Sequence, residues 1–421
     1  MIQKNLVTGI VRNKYMWRNK NVWILLTGEL IAGFGLWLGI IGNLEFMQEK
    51  VPSDFVKSLI LATGLLAGLA LGPLAGQIID KYNKKSVMLF SGLARAASVI
   101  FMLIALETGS VWWMVVFLIC LQSSAAFYFP ALQAAIPLVV EEKDLLQMNG
   151  VHMNVSTISR ILGTALGGIL IVIVSLHMLY IGSIVAYLLL FILTLFLKIE
   201  ESQPKPEIDT KKPLVVKSKF KDVFPIIKTI PIVFMTLILT LVPLLFLGGF
   251  NLLVINISEI QDSSSIKGWI YAAEGISFMI GAFLVKYISQ NRSPYVILFT
   301  FSFVIGISQI VLYFADVAIL SIAAFAIFGF SVGCFFPTAA TIFQTRIPKE
   351  FHGRFFSFRN MLDRFVFQVV LLLTGFLLDA IGLQYMSLLY GVLTITMTFL
   401  FLLKTRKINF TEPVKENTKS M

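Results

Sequence analysis

Charge, cysteine and histidine are all scarce in this chain. Charged residues fill only 14% of its 421 positions, too few to cover the surface of a water-soluble core of that size, so a soluble fold is excluded. The two cysteines, Cys120 and Cys334, lie in separate apolar runs and offer neither a disulfide framework nor a metal site; both read as buried thiols. His152, His177 and His352 lie near the ends of apolar runs and make no metal-spaced motif. No Ser/His couple or paired-His set supports an intramembrane enzyme. No glycine-rich phosphate loop is present, so ATP is not the energy source. No continuous polar stripe lines a pore, which argues against a channel. No cofactor is implied.

What the chain has is long apolar runs: 57% of its residues are hydrophobic. The runs are long enough for bilayer-spanning helices, and the short alternating segments of a transmembrane β-barrel are absent. Twelve spans are predicted, at 21–46, 54–79, 87–106, 111–138, 150–175, 178–198, 230–256, 266–288, 294–315, 318–345, 353–378 and 383–403. With the N-terminus in the cytoplasm and each charge near a span end counted with the loop it adjoins, 27 of the 34 Lys and Arg residues fall on the cytoplasmic side, three on the outer side (Lys50, Lys57, Lys267) and four deeper within spans (Arg95, Arg160, Arg359, Arg364). That asymmetry predicts both termini inside the cell membrane. It also accounts for the net charge of +11 without a nucleic-acid partner. The first span is too long for a signal-peptide core and is read as retained.

A Lys-, Pro- and Glu-rich stretch, "EESQPKPEIDTKKPLVVKSKFKD", reads as a solvated linker. It sets the expected boundaries: a six-helix half over 1–198, a cytoplasmic linker over 199–229, a second six-helix half over 230–403 and a cytoplasmic tail over 404–421. The halves are alike. "FYFPALQAAIPLVVEEKDLL" at 127–146 aligns with "CFFPTAATIFQTRIPKEFHG" at 334–353, and "GQIIDKYNKKSVML" at 76–89 with "GAFLVKYISQNRSPYV" at 281–296. The offsets of 207 and 205 point to one duplication, and parallel six-helix repeats are a main transporter design. Glycine recurs every fourth residue at Gly64, Gly68, Gly72 and Gly76, and Asp80 continues the series before Lys81, Lys84 and Lys85. One helix face is therefore bare and ends on charge.

Gly76, Asp80, Lys81, Lys84 and Lys85 resemble the loop motif between the second and third helices of the major facilitator superfamily. Asn83 stands where that pattern has glycine, both residues tolerating a left-handed turn, and Val285 replaces the acid in the second half. "RILGTALGGIL" at 160–170 resembles the fifth-helix motif of its antiporters, with Thr164 where proline is usual. Around "FYFPALQAAIPLVVEE" the chain is similar to the bacterial macrolide-efflux or drug:proton antiporter type. The resemblance implies an all-α fold of twelve transmembrane helices in two parallel six-helix repeats. It also implies that the second helix packs on the eleventh, and the fifth on the eighth, across the seam between halves. Gly64, Gly68, Gly72, Gly163 and Gly167 are then expected to line that seam as small-residue faces. Asp80 is expected to act as a latch against Arg354 or Arg359 or the start of the eleventh helix.

Charges inside spans cost roughly 2.5–3.5 kcal/mol each, so each needs a partner or a task. Glu29, two turns into the first helix, is either a proton carrier or an interfacial acid paired with a base such as Arg160. Glu274 on the eighth helix and Arg160 on the fifth either form a pin between the halves that protonation loosens, or are structural. Arg359 and Asp363 are spaced to pair on one face. Arg95 is expected to snorkel to the interface, and Arg364 either to snorkel or to attract an anionic group. In the fold implied by the resemblance, Phe34, Trp37, Gln122, Tyr128, Phe250, Asn251 and Phe336 line the cargo path, an aromatic wall suited to lipophilic or amphipathic molecules. Gly248, Gly249 and Pro243 are expected to interrupt the seventh helix. The expected function is a monomeric secondary transporter of the cytoplasmic membrane that exports such molecules in exchange for protons. The alternative is a lysophospholipid or lipid translocator of the same fold without proton antiport.

Overall fold

The computed structural model describes residues 16–141, 144–199, 229–289, 292–347 and 352–405. Most of the expected linker and nearly all of the tail lie outside this set. The described residues are overwhelmingly α-helical, with no strand among them. We number the helices α1 (Lys20–Lys50), α2 (Asp54–Lys81), α3 (Lys84–Thr108), α4 (Val111–Val139), α5 (Leu145–Ile173) and α6 (Leu176–Leu195). There follow α7 in three pieces (Pro231–Leu239, Leu241–Leu247, Phe250–Ile260), α8 (Ile266–Ile288), α9 (Pro294–Val311) and α10 (Ala318–Arg346). The last stretch, His352–Thr405, is two helices, α11 and α12, parted where Gly382 takes φ 74° and ψ 169°, backbone that is essentially open to glycine alone. Eleven stretches among the described residues are long and apolar enough to cross a bilayer, the last of them containing both α11 and α12.

Short polar caps set several helix starts. Ser53 caps α2 by accepting from Val56 N, and Asn83 caps α3 by accepting from Ser86 N at 3.2 Å. Asn83 does not use the left-handed conformation that it and glycine both tolerate: its φ is −61° and its ψ 126°. Asparagine suits that place because its side-chain oxygen satisfies an orphan N–H. In α7 the breaks fall at Thr240 and at Gly248–Gly249, the second at the expected glycine pair. Cβ atoms there would press on Val370 and Thr374 of α11, so the glycines also permit close approach.

The chain forms two compact units. The first comprises Met1–Ile208 together with Ser263–Ala272, which includes the start of α8. Within it α1 packs on α5 and α6, α4 on α2 and α3, and α3 on α6. Gly64 and Gly68, which the resemblance assigns to the seam, make close contacts inside their own unit. A Cβ on Gly64 would lie 3.2 Å from Leu118, and one on Gly68 3.2 Å from the Gln122 carbonyl, so they let α2 close on α4 of their own unit. Gly72 and Gly76 meet no described atom within 4 Å. Gly163 and Gly167 press on Trp37, Phe34 and Ile41 of α1, again inside the unit. The close glycine contact with α8 belongs instead to Gly168, whose Cβ would lie 2.5 Å from Gly268 Cα. Periodicity marks a bare face, but the neighbour that face meets depends on how the whole bundle is arranged.

The second unit comprises Asp209–Asp262 and Ala273–Met421. Here α9 packs on α10 and α12, and α8 and α10 touch backbone to backbone. Cβ atoms on Gly281, Gly329 and Gly333 would fall on the carbonyl oxygens of Phe330, Glu274 and Phe278 respectively. Phe246, Phe325 and Phe328 stack in its core, with Phe246 and Phe328 centroids 3.9 Å apart. Buried polar groups pair across helices: Thr394 donates to Gln309 at 2.9 Å, and Thr374 and Tyr390 share a 3.2 Å hydrogen bond.

Candidate functional site

Of the charges expected inside spans, the first unit gathers two in one buried group. Glu29, on the inner face of α1, is 5% exposed. Its Oε2 lies 3.7 Å from Nε2 of His152, near the start of α5. Arg95 of α3 is 2% exposed. Its guanidinium sits 5.3 Å from the rings of Tyr128 and Phe129 on α4 and 4.8 Å from Tyr187 on α6, and it also hydrogen-bonds the Tyr187 side chain. Tyr128 lies within electrostatic reach of both Arg95 and Glu29. Arg95 therefore does not snorkel. Three rings whose faces attract cations hold it inside the bundle, where a helix of this composition otherwise has nothing to offer a charge. The position of Arg95, about ten residues from the basic end of its helix, could not reveal this. The aromatic run at 127–129 was the available signal.

Arg160 lies on α5 deeper than His152, its guanidinium 5.9 Å from the ring of Trp37. Trp37 in turn stands 5.9 Å from Tyr271 at the start of α8. Glu274 is buried at 4% exposure but belongs to the second unit. Arg359 Nε and Asp363 Oδ2 of α11 are 3.4 Å apart, the i, i+4 pairing the sequence allows, and Arg359 also covers the Phe343 ring at 4.9 Å. Arg364 on the same helix is exposed.

The expected cargo wall divides. Phe34, Trp37, Asn251 and Phe336 are half-buried. Tyr128, 1% exposed, and Phe250, 8% exposed, are core residues instead. Phe250 packs edge-on against Phe325 at 4.9 Å, and Tyr128 is taken up by Arg95. Gln122 backs onto Gly64 and Gly68 of α2. Ser123, Ser124 and Phe127 line a cavity of about 460 Å³ with Ile78 of α2 and Phe90 of α3. In the loop motif, Gly76, Lys81 and Tyr82 are exposed and Lys84 and Lys85 half-buried; Lys85 donates to the Leu195 carbonyl at 2.8 Å. The side chains of Asp80 and Arg354, on which the expected latch depends, lie outside the described residues.

The sequence reading missed two further ion pairs. Lys57 and Lys267, counted there as outer-loop charges, are 1% and 0% exposed. Lys57 Nζ pairs with Asp54 at 3.0 Å. Lys267 Nζ pairs with Glu45 Oε2 at 2.6 Å, and Ser264 donates to the other oxygen of that carboxylate at 2.8 Å. The signal was present: a lysine needs a partner to sit inside an apolar run.

Apolar helices long enough to span a bilayer, with their charges paired or caged inside two helical units, define a polytopic α-helical membrane transporter. The chain belongs to the Major Facilitator Superfamily, which it matches over residues 25–367 and 253–420. It is 25% identical over 394 residues to macrolide efflux protein A of Streptococcus pyogenes, covering 90% of this chain and 94% of that one. It is 24% identical over 400 residues to the multidrug efflux pump Tap of Mycolicibacterium fortuitum, covering 92% and 96%. The crystal structure of the nucleoside transporter NupG superposes with a TM-score of 0.71 at 14% identity, over 92% of this chain and all of that one.

Proposed function

We propose that this transporter exports lipophilic or amphipathic small molecules across the cytoplasmic membrane in exchange for protons, as a monomer with both termini in the cytoplasm. The observation that carries the reading is Glu29: a carboxylate buried at 5% exposure in a spanning helix, with the imidazole of His152 3.7 Å away. An acid held there has to be neutral for part of a cycle or be offset by fixed positive charge, and it changes state when a proton or a cationic cargo arrives. The efflux names of the relatives support the direction of transport and the cargo class.

In this reading the two units alternate access to a central path, with Phe34, Trp37, Asn251 and Phe336 as the contacts offered to cargo. Arg160 and Glu274 are further charged groups that take part in the coupling. The Arg359–Asp363 pair neutralises α11, and Asp80 with Lys81, Lys84 and Lys85 latches the cytoplasmic side. The test is proton flux in proteoliposomes carrying an internal pH dye, challenged with lipophilic cations, macrolides and lysophospholipids, for wild type beside Glu29→Gln and Glu274→Gln. Cargo-dependent proton flux that Glu29→Gln abolishes is the expected result. Cargo movement without proton flux refutes antiport and makes the protein a lipid or drug translocator with structural glutamates.

A further inference from the structure

The structure supplies a route for the proton that the preceding reading assigns to Glu29, and this inference rests on that reading. We infer that His152 is the proton port of Glu29: the group through which its proton is exchanged with the cytoplasm, so that transport is governed by a Glu29–His152 pair and not by a lone acid.

Three features carry this. The first is distance. Glu29 Oε2 and His152 Nε2 stand 3.7 Å apart, just outside a hydrogen bond and within a small side-chain rotation of one. Proton-transfer contacts in resting structures are commonly this loose and tighten when the chemistry occurs. The second is a gradient of burial. The Glu29 side chain is 6% exposed and that of His152 17%. His152 also lies within eight residues of the start of α5. The third is the electrostatic setting. Besides His152 on α5, Tyr128 of α4 lies within electrostatic reach of Glu29 and also of Arg95 of α3, which Tyr187 of α6 holds. Arg160, further along α5, is turned to Trp37.

Arg95 is a fixed positive charge that cannot give up its proton. In this route the proton on His152 is in transit. Protonated Glu29 passes its proton to neutral Nε2, leaving carboxylate and imidazolium. The imidazolium then releases the proton to water on the cytoplasmic side and returns to neutral, and the sequence runs in reverse when the site reloads from that side. No charge is created or lost beyond the one proton. A carboxyl group this buried would otherwise exchange slowly with bulk water. Histidine is suited to the task because its two ring nitrogens can accept a proton and donate one.

The experiment compares wild type, His152→Gln, Glu29→Gln and the double variant in proteoliposomes, reading cargo-driven proton flux across pH 5.5–8.5, with cargo binding measured separately. Infrared difference spectra of the Glu29 carboxyl stretch are recorded alongside. The expected result is that His152→Gln binds cargo as wild type does. Its proton flux falls at least tenfold and loses its pH dependence, and its Glu29 carboxyl band shifts. The double variant is no worse than Glu29→Gln, and added imidazole restores part of the flux to His152→Ala. Wild-type flux with an unchanged rate and pH profile in His152→Gln overturns the port and leaves proton antiport standing. Absence of cargo-driven proton flux in wild type overturns both.

Discussion

Gly329 on α10 is the position at which a single methyl group tests the packing of the second unit most directly. A Cβ at Gly329 would fall on the carbonyl oxygen of Glu274, with the carbonyl carbon at 2.9 Å and the Cα at 3.0 Å. Every obstructing atom is backbone, so no side-chain rotation relieves the clash. Carbon atoms settle at about 3.5–4.0 Å, so α8 and α10 must part by ~0.5–1 Å. The same displacement strips contacts at Gly281–Phe330 and Gly333–Phe278, which lie along the same seam. Overpacking of this kind costs ~1–3 kcal/mol. Alanine returns ~0.5–1 kcal/mol of helix preference, which leaves a net loss for Gly329→Ala of about 1–2 kcal/mol. For a unit of this size that corresponds to a fall of roughly 2–8 °C in midpoint temperature. The assay is thermal unfolding of detergent-solubilised protein followed by fluorescence-detected size exclusion. Gly72→Ala serves as the control, because no described atom lies within 4 Å of its Cβ position, and it is expected to melt with or slightly above wild type. Unchanged melting of Gly329→Ala, or an equal fall in Gly72→Ala, refutes the backbone-contact argument.

Two further substitutions probe the first unit. Lys267→Met leaves the Glu45 carboxylate accepting from Ser264; because Glu45 is a quarter exposed, the loss lies between that of an exposed pair and that of a fully buried one, about 1–3 kcal/mol. Adding Glu45→Gln to Lys267→Met is expected to recover most of that loss in the same melting assay, since no uncompensated charge then remains. Asn83→Ala removes the cap of α3 and is expected to cost ~1 kcal/mol, whereas Asn83→Gly costs only a few tenths. Equal melting of the two Asn83 variants contradicts the capping role.

Much of the architecture was legible in one dimension. Runs of apolar residues mark the spans because a helix in lipid must be apolar over some twenty residues whatever its neighbours are. The interruption of α7 followed from Gly248 and Gly249, and the break before α12 falls in the gap expected between the spans 353–378 and 383–403. The Arg359–Asp363 contact followed from i, i+4 spacing alone. These are local properties. The partner of each helix face was not legible. In a water-soluble helix the polar side identifies the outside; here both lipid-facing and core-facing sides are apolar, so Gly64 and Gly163 announce a close contact without naming the helix that makes it.

The same limit separates what was read of the candidate site from what was found there. Glu29 was conspicuous because a carboxylate in an apolar run is costly. Arg95 was noticed and placed at the interface, because its partners are three rings on α4 and α6 that no spacing rule connects to α3. His152 was set aside as a helix-end histidine, and only the packing of α1 on α5 brings it beside Glu29. Membrane residence, helix number and the chemistry of individual positions were thus determined by the sequence itself, through the cost of placing polar groups in hydrocarbon. Which buried charge meets which, and therefore where a proton can travel, was decided by tertiary structure, because those contacts join residues distant in the chain through helix faces that composition does not distinguish.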